Sequence, residues 1–559
     1  MTGTPSQPAT IPEAIRALGT ARGCVTFLDK HGELSRWSYP ELAEAGRRSA
    51  ATWHNQGVRP GDRVGLLATT TPTFVAGLFG CWILGAVPVP LAIPMRFSPE
   101  ALVQGIRSRL RRAGAELVGM DEPFASLPGL ESVGARISTL DLAKETQREI
   151  QPREVDAQSP ALIQFTSGST SQPKGVTLSH DALFGNERAL RERCRFGAGD
   201  ICVGWMPLYH DAGLMGQLLW PTLLEHLDVY LISPEVFAQY PRRWLEAASR
   251  YRGSITIGPN FSYYLAARLL RSSQSPFDLA PLRLAFNGGE PVDQAAVGFV
   301  EAASESCNFS KQAMLPVYGL AEATLIVSAP QPPEPLGIWW VDRDRLAIDG
   351  IGEETNPGPH ARSLVSVGYP LDQVHVEIRD PSGKPMPAGH VGEIAVRTAY
   401  GMSGYWNDPA TTADVMQDGW ILTGDLGAFG EKGLVITGRI KDMIIAMGRN
   451  IYPEDAETVA ENIPGVRRGN AIAFGVVRGG RESLVLIGET YLDGTDAQSL
   501  ARRIAREVSS ALSVGVDNVL LVKPRTLPKT SSGKKQRSLC KSRYELGTYA
   551  SSVVGNQEG

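Results

Sequence analysis

The sequence predicts an α/β protein in two parts, a large N-terminal domain of helix-covered sheets and a small, mobile α+β C-terminal domain. Three observations predict it. Short apolar strand-like runs alternate with amphipathic helical runs through roughly the first two-thirds of the chain, the pattern of parallel sheets with helices on their faces. From about Gly438 the order changes to hairpin, helix, paired strands, helix and strand. A length of 559 residues also exceeds what one hydrophobic core accommodates.

The elements follow in order. RVGLLAT (Arg63 to Thr69) is a strand before the run Phe74 to Pro94, which carries no charge and is long enough to span a bilayer. Pro88, Pro90 and Pro94 would break the second half of a spanning helix. The run therefore reads as a buried helix and a buried strand, and no stable membrane association is expected. ICVGWMPL precedes the helix DAGLMGQLLWPTLLEH, LDVYLIS the helix around PRRWLEAASRY, and SITIGP the helix FSYYLAARLLR; LRLAFNGGE is the next strand. Gln331 to Ser363, rich in proline, glycine and charge, reads as an insertion (331–363) on a core of residues 1–440. In 441–559 and just before it, VITGRIKDMIIAMGRNIYP is expected to form a hairpin and EDAETVAENI a helix. RGNAIAFGVV and ESLVLIGETY follow as strands, DAQSLARRIAREVSSALS as a helix and VDNVLLVKP as the last strand.

Composition narrows the function classes. With 43% apolar and 20% charged residues and a formal net charge of −4, nothing favours nucleic acid or an anionic membrane as partner. The six cysteines are scattered without a C-x-x-C pair, which suggests free thiols in a reducing compartment. The polar N-terminus has no signal-peptide run, so a cytoplasmic location is expected.

In such folds ligands gather in loops at the carboxyl ends of strands. FTSGSTSQPKG, Phe165 to Gly175, lies at one. It is not a Walker loop, because its lysine precedes the second glycine and no GKS or GKT follows. The hydroxyls of Thr166, Ser167, Ser169, Thr170 and Ser171, the backbone at Gly168 and the charge of Lys174 could still hold phosphate; a flexible polar turn fits the residues equally well. In VYGLAEAT, Glu322 could hold Mg²⁺ together with substrate phosphates. In DGWILTGDLGAF, Asp425 could accept both hydroxyls of a ribose. LPKTSSGKKQR offers Lys534 at the tip of a mobile loop. Taken singly, these last two are also an ordinary turn aspartate and a solvated basic tail.

Together and in order, FTSGSTSQPKG, WMPLYHDAGL, NGGEP, VYGLAEAT, GYWNDPATTA, GWILTGDLG, GRIKDMII and KTSSGKKQR resemble the adenylate-forming superfamily: acyl-CoA synthetases, luciferases and peptide-synthetase adenylation domains. The resemblance runs from about Thr26 to Arg537. WMPLYHDAGLMG, SPEVFAQYPRRWLEAASRYRGSITIGPNFSY, the AEAT ending, GRNIYPEDAE and the long Gly319 to Gly368 segment are similar to fatty acyl-AMP ligases. The resemblance implies ATP and Mg²⁺, conversion of a fatty acid to acyl-AMP with release of pyrophosphate, and acyl transfer to the phosphopantetheine thiol of a separate holo acyl carrier protein. An acyl-CoA synthetase forming a CoA thioester is the alternative, and a non-catalytic nucleotide-binding protein on this fold is a third.

Site roles follow from the resemblance alone. Thr166, Ser167, Gly168, Ser169, Thr170 and Lys174 would hold the β- and γ-phosphates, and Glu322 the metal. Asn287, Gly288, Gly289 and Glu290 with Tyr318 would frame adenine, Gly319 and Thr324 completing the ATP site. Asp425 and Arg439 would hold ribose. Lys534 would reach the carboxylate and the α-phosphate, and Lys441 would be the hinge. His210 would line the acyl pocket near the carboxylate. Met215, Phe237, Trp244 and Phe261 could line the tunnel, although aromatics at helical spacing are more often plain core. Extra residues at the insertion would hinder the CoA-thioester state and favour a protein acceptor. Gly289 stands where these ligases often carry alanine, which is expected to be neutral. Lys535 follows Lys534, so either could be the active lysine, motif register favouring Lys534.

Overall fold

The computed structural model describes residues 7–94, 98–142, 148–166, 173–272, 277–358, 360–446, 449–478, 481–530 and 533–557. The strand and helix alternation becomes a seven-stranded sheet in the order Met314–Pro316, Leu284–Asn287, Ile255–Gly258, Ile201–Gly204, Asp228–Ile232, Cys24–Leu28, Glu33–Ser38. Its pairings are parallel except the last, an antiparallel hairpin between Cys24–Leu28 and Glu33–Ser38. The parallel strands are covered on both faces, which is why they read as short apolar runs and not as alternating ones.

A second, four-stranded parallel sheet has the order Val87–Pro90, Arg63–Leu67, Leu117–Met120, Arg136–Thr139. The uncharged run divides as its prolines require. Helix Pro72–Leu84 ends at Gly85 in the left-handed conformation (φ 72°), and the buried strand Val87–Pro90 follows. That strand is the sheet edge, where a proline's missing N–H costs no ladder bond. Among the described residues, no helix is long and apolar enough to cross a membrane. All six cysteines are buried and unpaired by disulfide.

The chain then forms an antiparallel sheet around Gly392–Thr398 and Trp420–Gly430, with Gly433–Arg439 paired to the latter so that Asp425 faces Arg439 across the ladder. Beyond it, Val466–Arg478, Arg481–Thr490, Val516–Val522 and Val553–Asn556 make a four-stranded sheet. One side of this sheet packs on helices Pro453–Glu461 and Gly494–Leu512 through Ala456, Leu486, Ile504 and Val519; the other is closed by Ile472, Phe474, Cys540 and Tyr549. Val516–Val522 is not the last strand. Helix Arg537–Glu545 and the edge strand Val553–Asn556 follow. The helix escaped the sequence reading because it buries only Arg537 and Cys540, too little for an apolar stripe.

The 331–363 segment is a small unit of its own. Ile338–Asp342 pairs antiparallel with Ala361–Val365, with helix Arg343–Asp349 between them. Trp339, Val341, Leu346 and Leu364 pack with Val435 and Tyr452. Arg362 Nε lies 2.7 Å from Asp455 Oδ1, its guanidinium lies 4.4 Å above the Tyr452 ring, and Arg343 Nη1 donates to the carbonyl of Ala511 at 3.0 Å. The segment is thus tied to the C-terminal lobe.

Candidate active site

A cleft of about 1990 Å³ separates the two lobes and is lined by both. Ser167, Gly168, Ser169, Thr170 and Ser171 lie outside the described residues. The base of their loop is described: Phe165 and Gly175 pair across an antiparallel hairpin, and the Thr166 N–H donates to the Lys174 carbonyl at 3.1 Å. The strand Gly175–Ser179 follows this loop, where a Walker loop would be followed by a helix. Thr166 and Lys174 both border the cleft.

Lys174 Nζ lies 4.8 Å above the ring of Tyr405, whose hydroxyl donates to Glu322 Oε1 at 2.8 Å. Glu322 sits on the short turn Ala321–Ala323 and faces the cleft. Among the described residues no three His, Cys, Asp or Glu side chains converge as a metal cage. One half-exposed carboxylate beside a phosphate loop fits Mg²⁺, which takes one or two protein carboxylates and keeps water and phosphate oxygens. It does not fit a dedicated protein-bound metal.

Asp425 is held from two sides. Its Oδ2 accepts the Tyr318 hydroxyl at 2.8 Å and its Oδ1 lies 2.7 Å from Arg439 Nε. Each oxygen keeps lone-pair capacity for a further donor. Gly288, Gly289, Glu290, Tyr318 and Gly319 border the same part of the cleft. Burial, reinforced by Asp293, pushes the Glu290 carboxyl up to about 7 against the pull of Lys535, Lys534 and Lys529. Asn287 and Thr324 do not line the cleft. Asn287 is fully buried, its Nδ2 donating to Asn260 Oδ1 at 3.1 Å; Thr324 is buried at φ 72°, its hydroxyl donating to the Tyr400 carbonyl at 2.5 Å. Both hold the turns that carry cleft residues.

The two adjacent lysines part company. Lys535 Nζ lies 2.9 Å from both Glu457 and Glu461 of its own lobe. Lys534 turns the other way, onto the N-terminal lobe. A Cβ at Gly289 (φ 87°) would stand 3.1 Å from Lys534 Cε and 3.3 Å from Nζ. Alanine there is therefore not neutral: it meets both an unfavourable backbone angle and the lysine. Burial lowers the proton affinity of Lys534, partly offset by Asp211. Lys441 lies in the turn Ile440–Asp442 that joins the lobes.

His210 borders the cleft, with Nδ1 2.6 Å from Asp211 Oδ1. Burial alone would raise the Asp211 pKa, but His210 and Lys534 reverse this and hold it well below the ordinary carboxylate range. Asp211 was missed in the sequence although it follows His210 directly in LYHDAG; a carboxylate adjacent to a chosen histidine was the available signal. Met215, Phe237, Trp244 and Phe261 do not line the cleft. Met215 is fully buried, and Phe237 stacks on Trp205 at 3.8 Å, with Trp244 and Phe261 edge-on to Phe237 at 6.0 and 6.2 Å. The apolar wall beyond His210 is made by Met206, Ala212, Ala238 and Ile257, with those aromatics one layer behind. Phe261 has another neighbour: a Cβ on Gly533 would stand 2.2 Å from its ring, so the Lys534 loop rests on it.

Comparison with known proteins agrees with this geometry. A family profile described as AMP-binding enzyme matches residues 17–406. The chain is 33% identical to the medium-chain-fatty-acid–[acyl-carrier-protein] ligase JamA of Moorena producens, covering 95% of this chain and 93% of that one. It is also 33% identical to a Caulobacter vibrioides protein provisionally named an acyl-CoA synthetase, covering 97% and 96%. A solved structure from the fatty acyl-adenylate ligases of E. coli and L. pneumophila superposes with a TM-score of 0.88 at 30% identity, over 97% of this chain and 98% of that one. The chain belongs to the AMP-binding enzyme family and has the adenylate-forming fold, similar over nearly its whole length to fatty acyl-adenylate ligases.

Proposed function

We propose that this enzyme activates a fatty acid to acyl-AMP with ATP and passes the acyl group to the phosphopantetheine thiol of a separate holo acyl carrier protein. The observation that carries the reading is Lys534. It reaches from the C-terminal lobe onto Gly289, within the electrostatic field of Asp211, Arg439 and Asp425, so one cation stands between the nucleotide side of the cleft and the apolar wall beyond His210.

In the first step the fatty acid carboxylate attacks the α-phosphate in line and pyrophosphate leaves, so that positioning and charge stabilisation carry the chemistry. Asp425 accepts the ribose hydroxyls, oriented by Tyr318 and Arg439. Glu290, Gly289 and Tyr318 frame adenine. Lys174, Thr166 and the hydroxyls of 167–171 hold the departing phosphates. Glu322, oriented by Tyr405, would hold Mg²⁺, which supplies charge neutralisation on the phosphates. Lys534 bridges carboxylate and α-phosphate and stabilises charge as it develops. His210, with Asp211 beside it, borders the acyl carboxylate. Rotation of 441–559 about Lys441 then withdraws Lys534 and opens a path for the thiol.

Carrier-protein preference is supported by the 331–363 segment, whose Arg362 and Arg343 hold the C-terminal lobe through Asp455 and the Ala511 carbonyl. The relative named as an acyl-CoA synthetase keeps the CoA thioester as the second reading. A fatty-acid panel with ATP, followed by mass of the adenylate before any acceptor is added, tests the first step; no acyl-AMP from any straight-chain acid would overturn it.

A further inference from the structure

We propose that Arg109, flanked by Ser108 and Gln104, forms a second phosphate subsite on the wall of the active-site cleft, distinct from the 166–175 loop; this rests on the functional reading above. All three border the cleft from helix Pro99–Ala113, whose opposite face is sealed by Leu102, Val103, Ile106 and Leu110.

Arg109 has an unusual lack of partners for a cation on a cleft wall. Among the described residues no carboxylate pairs with it. Among the described residues its Nη1 donates only to the carbonyl of Gly105 one turn back, at 3.1 Å, and its buried Nε has no partner. A Cβ at residue 105 would stand 3.1 Å from Nη1, so the glycine leaves room for the guanidinium to lie along the helix. A guanidinium offers five donors in a planar fork suited to phosphate, and one carbonyl uses one. Withdrawing a cation from water without compensation is unfavourable; an oxyanion entering the cleft completes this one.

Thr166 and Lys174, at the base of the phosphate loop, border the same cleft, and on the functional reading phosphates enter and leave through it. Two sources share that chemistry: the phosphate of the phosphopantetheine arm on its way in, and pyrophosphate on its way out.

The test compares wild type with Arg109→Ala and Arg109→Lys in transfer from preformed acyl adenylate to phosphopantetheine or to pantetheine, and in pyrophosphate-dependent ATP formation. Arg109→Ala should raise the KM for phosphopantetheine about tenfold and leave pantetheine unchanged, with partial recovery in Arg109→Lys. A matching rise in the KM for pyrophosphate, with both acceptors unaffected, supports the subsite and assigns it to the leaving group. Unchanged KM values for all three ligands overturn it. Where alanine fails to fold, Arg109→Met keeps the aliphatic stem and carries the same comparison. Failure of the functional reading shows separately, as absence of acyl-AMP in wild type before any acceptor is present.

Discussion

Lys534 and Gly289 lie on different lobes yet side by side: a methyl group on the glycine would stand 3.1 Å from the lysine's Cε. This juxtaposition brings the C-terminal lobe's lysine against the N-terminal side of the cleft. Motif register favours Lys534 over Lys535, and the structure gives the two different surroundings: Lys535 is spent on Glu457 and Glu461.

Lys534→Ala should lower acyl-AMP formation by about 10²–10³-fold, the scale of removing one preorganised transition-state donor, with the melting temperature near wild type and transfer from supplied acyl adenylate retained. Lys535→Ala should do the reverse. It removes one of two cations from Glu457, which keeps Arg537, and the ion-pair partner of Glu461, so thermal unfolding shifts down while adenylation per folded molecule changes little. Equal losses of adenylation in both variants would contradict the assignment.

Asp425 joins Tyr318 and Arg439 at 2.8 and 2.7 Å. Asp425→Ala should raise the KM for ATP by about 10–100-fold, the range for losing hydrogen bonds to a charged group. Tyr318→Phe should cost less, about fivefold, since Arg439 still orients the carboxylate. Initial-rate kinetics over ATP concentration measure both.

The pair Arg362–Asp455 is largely buried, with side-chain exposures of 9% and 15%. Breaking it from one side should cost about 3–5 kcal/mol, because the remaining charge is left uncompensated; removing both partners should cost less than the two single losses summed. If this pair restrains the C-terminal lobe, Arg362→Ala should also raise acyl-CoA formation relative to wild type. Denaturant unfolding of a double-mutant cycle and a CoA acceptor assay check the two halves.

Glu187 is fully buried, neither carboxylate oxygen meets a donor among the described residues, and the Glu225 carboxylate is its neighbour. Burial and the Glu225 carboxylate push its pKa up to about 8. A folded-state pKa above the unfolded one means the folded protein holds a proton that the unfolded chain has released, so this group's contribution to stability falls as pH rises from the ordinary carboxylate range to about 8. Glu187→Gln should flatten that slope and be the more stable form above pH 8, measured by melting temperature against pH.

Much of this architecture was legible because parallel strands covered on both faces read as short apolar runs, as at Asp228–Ile232 and Leu284–Asn287. The motif loops were legible from their hydroxyls, glycines and carboxylates. What escaped depends on direction and not on composition. Phe237 and Phe261 were assigned to the acyl wall as large apolar residues, yet Phe237 turns its ring onto Trp205 and leaves Ala238 at the cleft. Thr324 belongs to a cleft motif but points inward to Tyr400. Asp211 matters through His210 and Lys534, the latter far along the chain, and no local pattern reports that. Helix Arg537–Glu545 is anchored by a buried arginine in place of an apolar stripe, which periodicity does not detect.

The central claim is the choice of acceptor. Wild-type enzyme, ATP and a fatty acid are incubated with holo acyl carrier protein and CoA together in one vessel, and both acyl thioesters are quantified by mass. Acyl-carrier thioester should form in large excess over acyl-CoA; acyl-CoA as the dominant product would contradict the account and make the protein a CoA ligase.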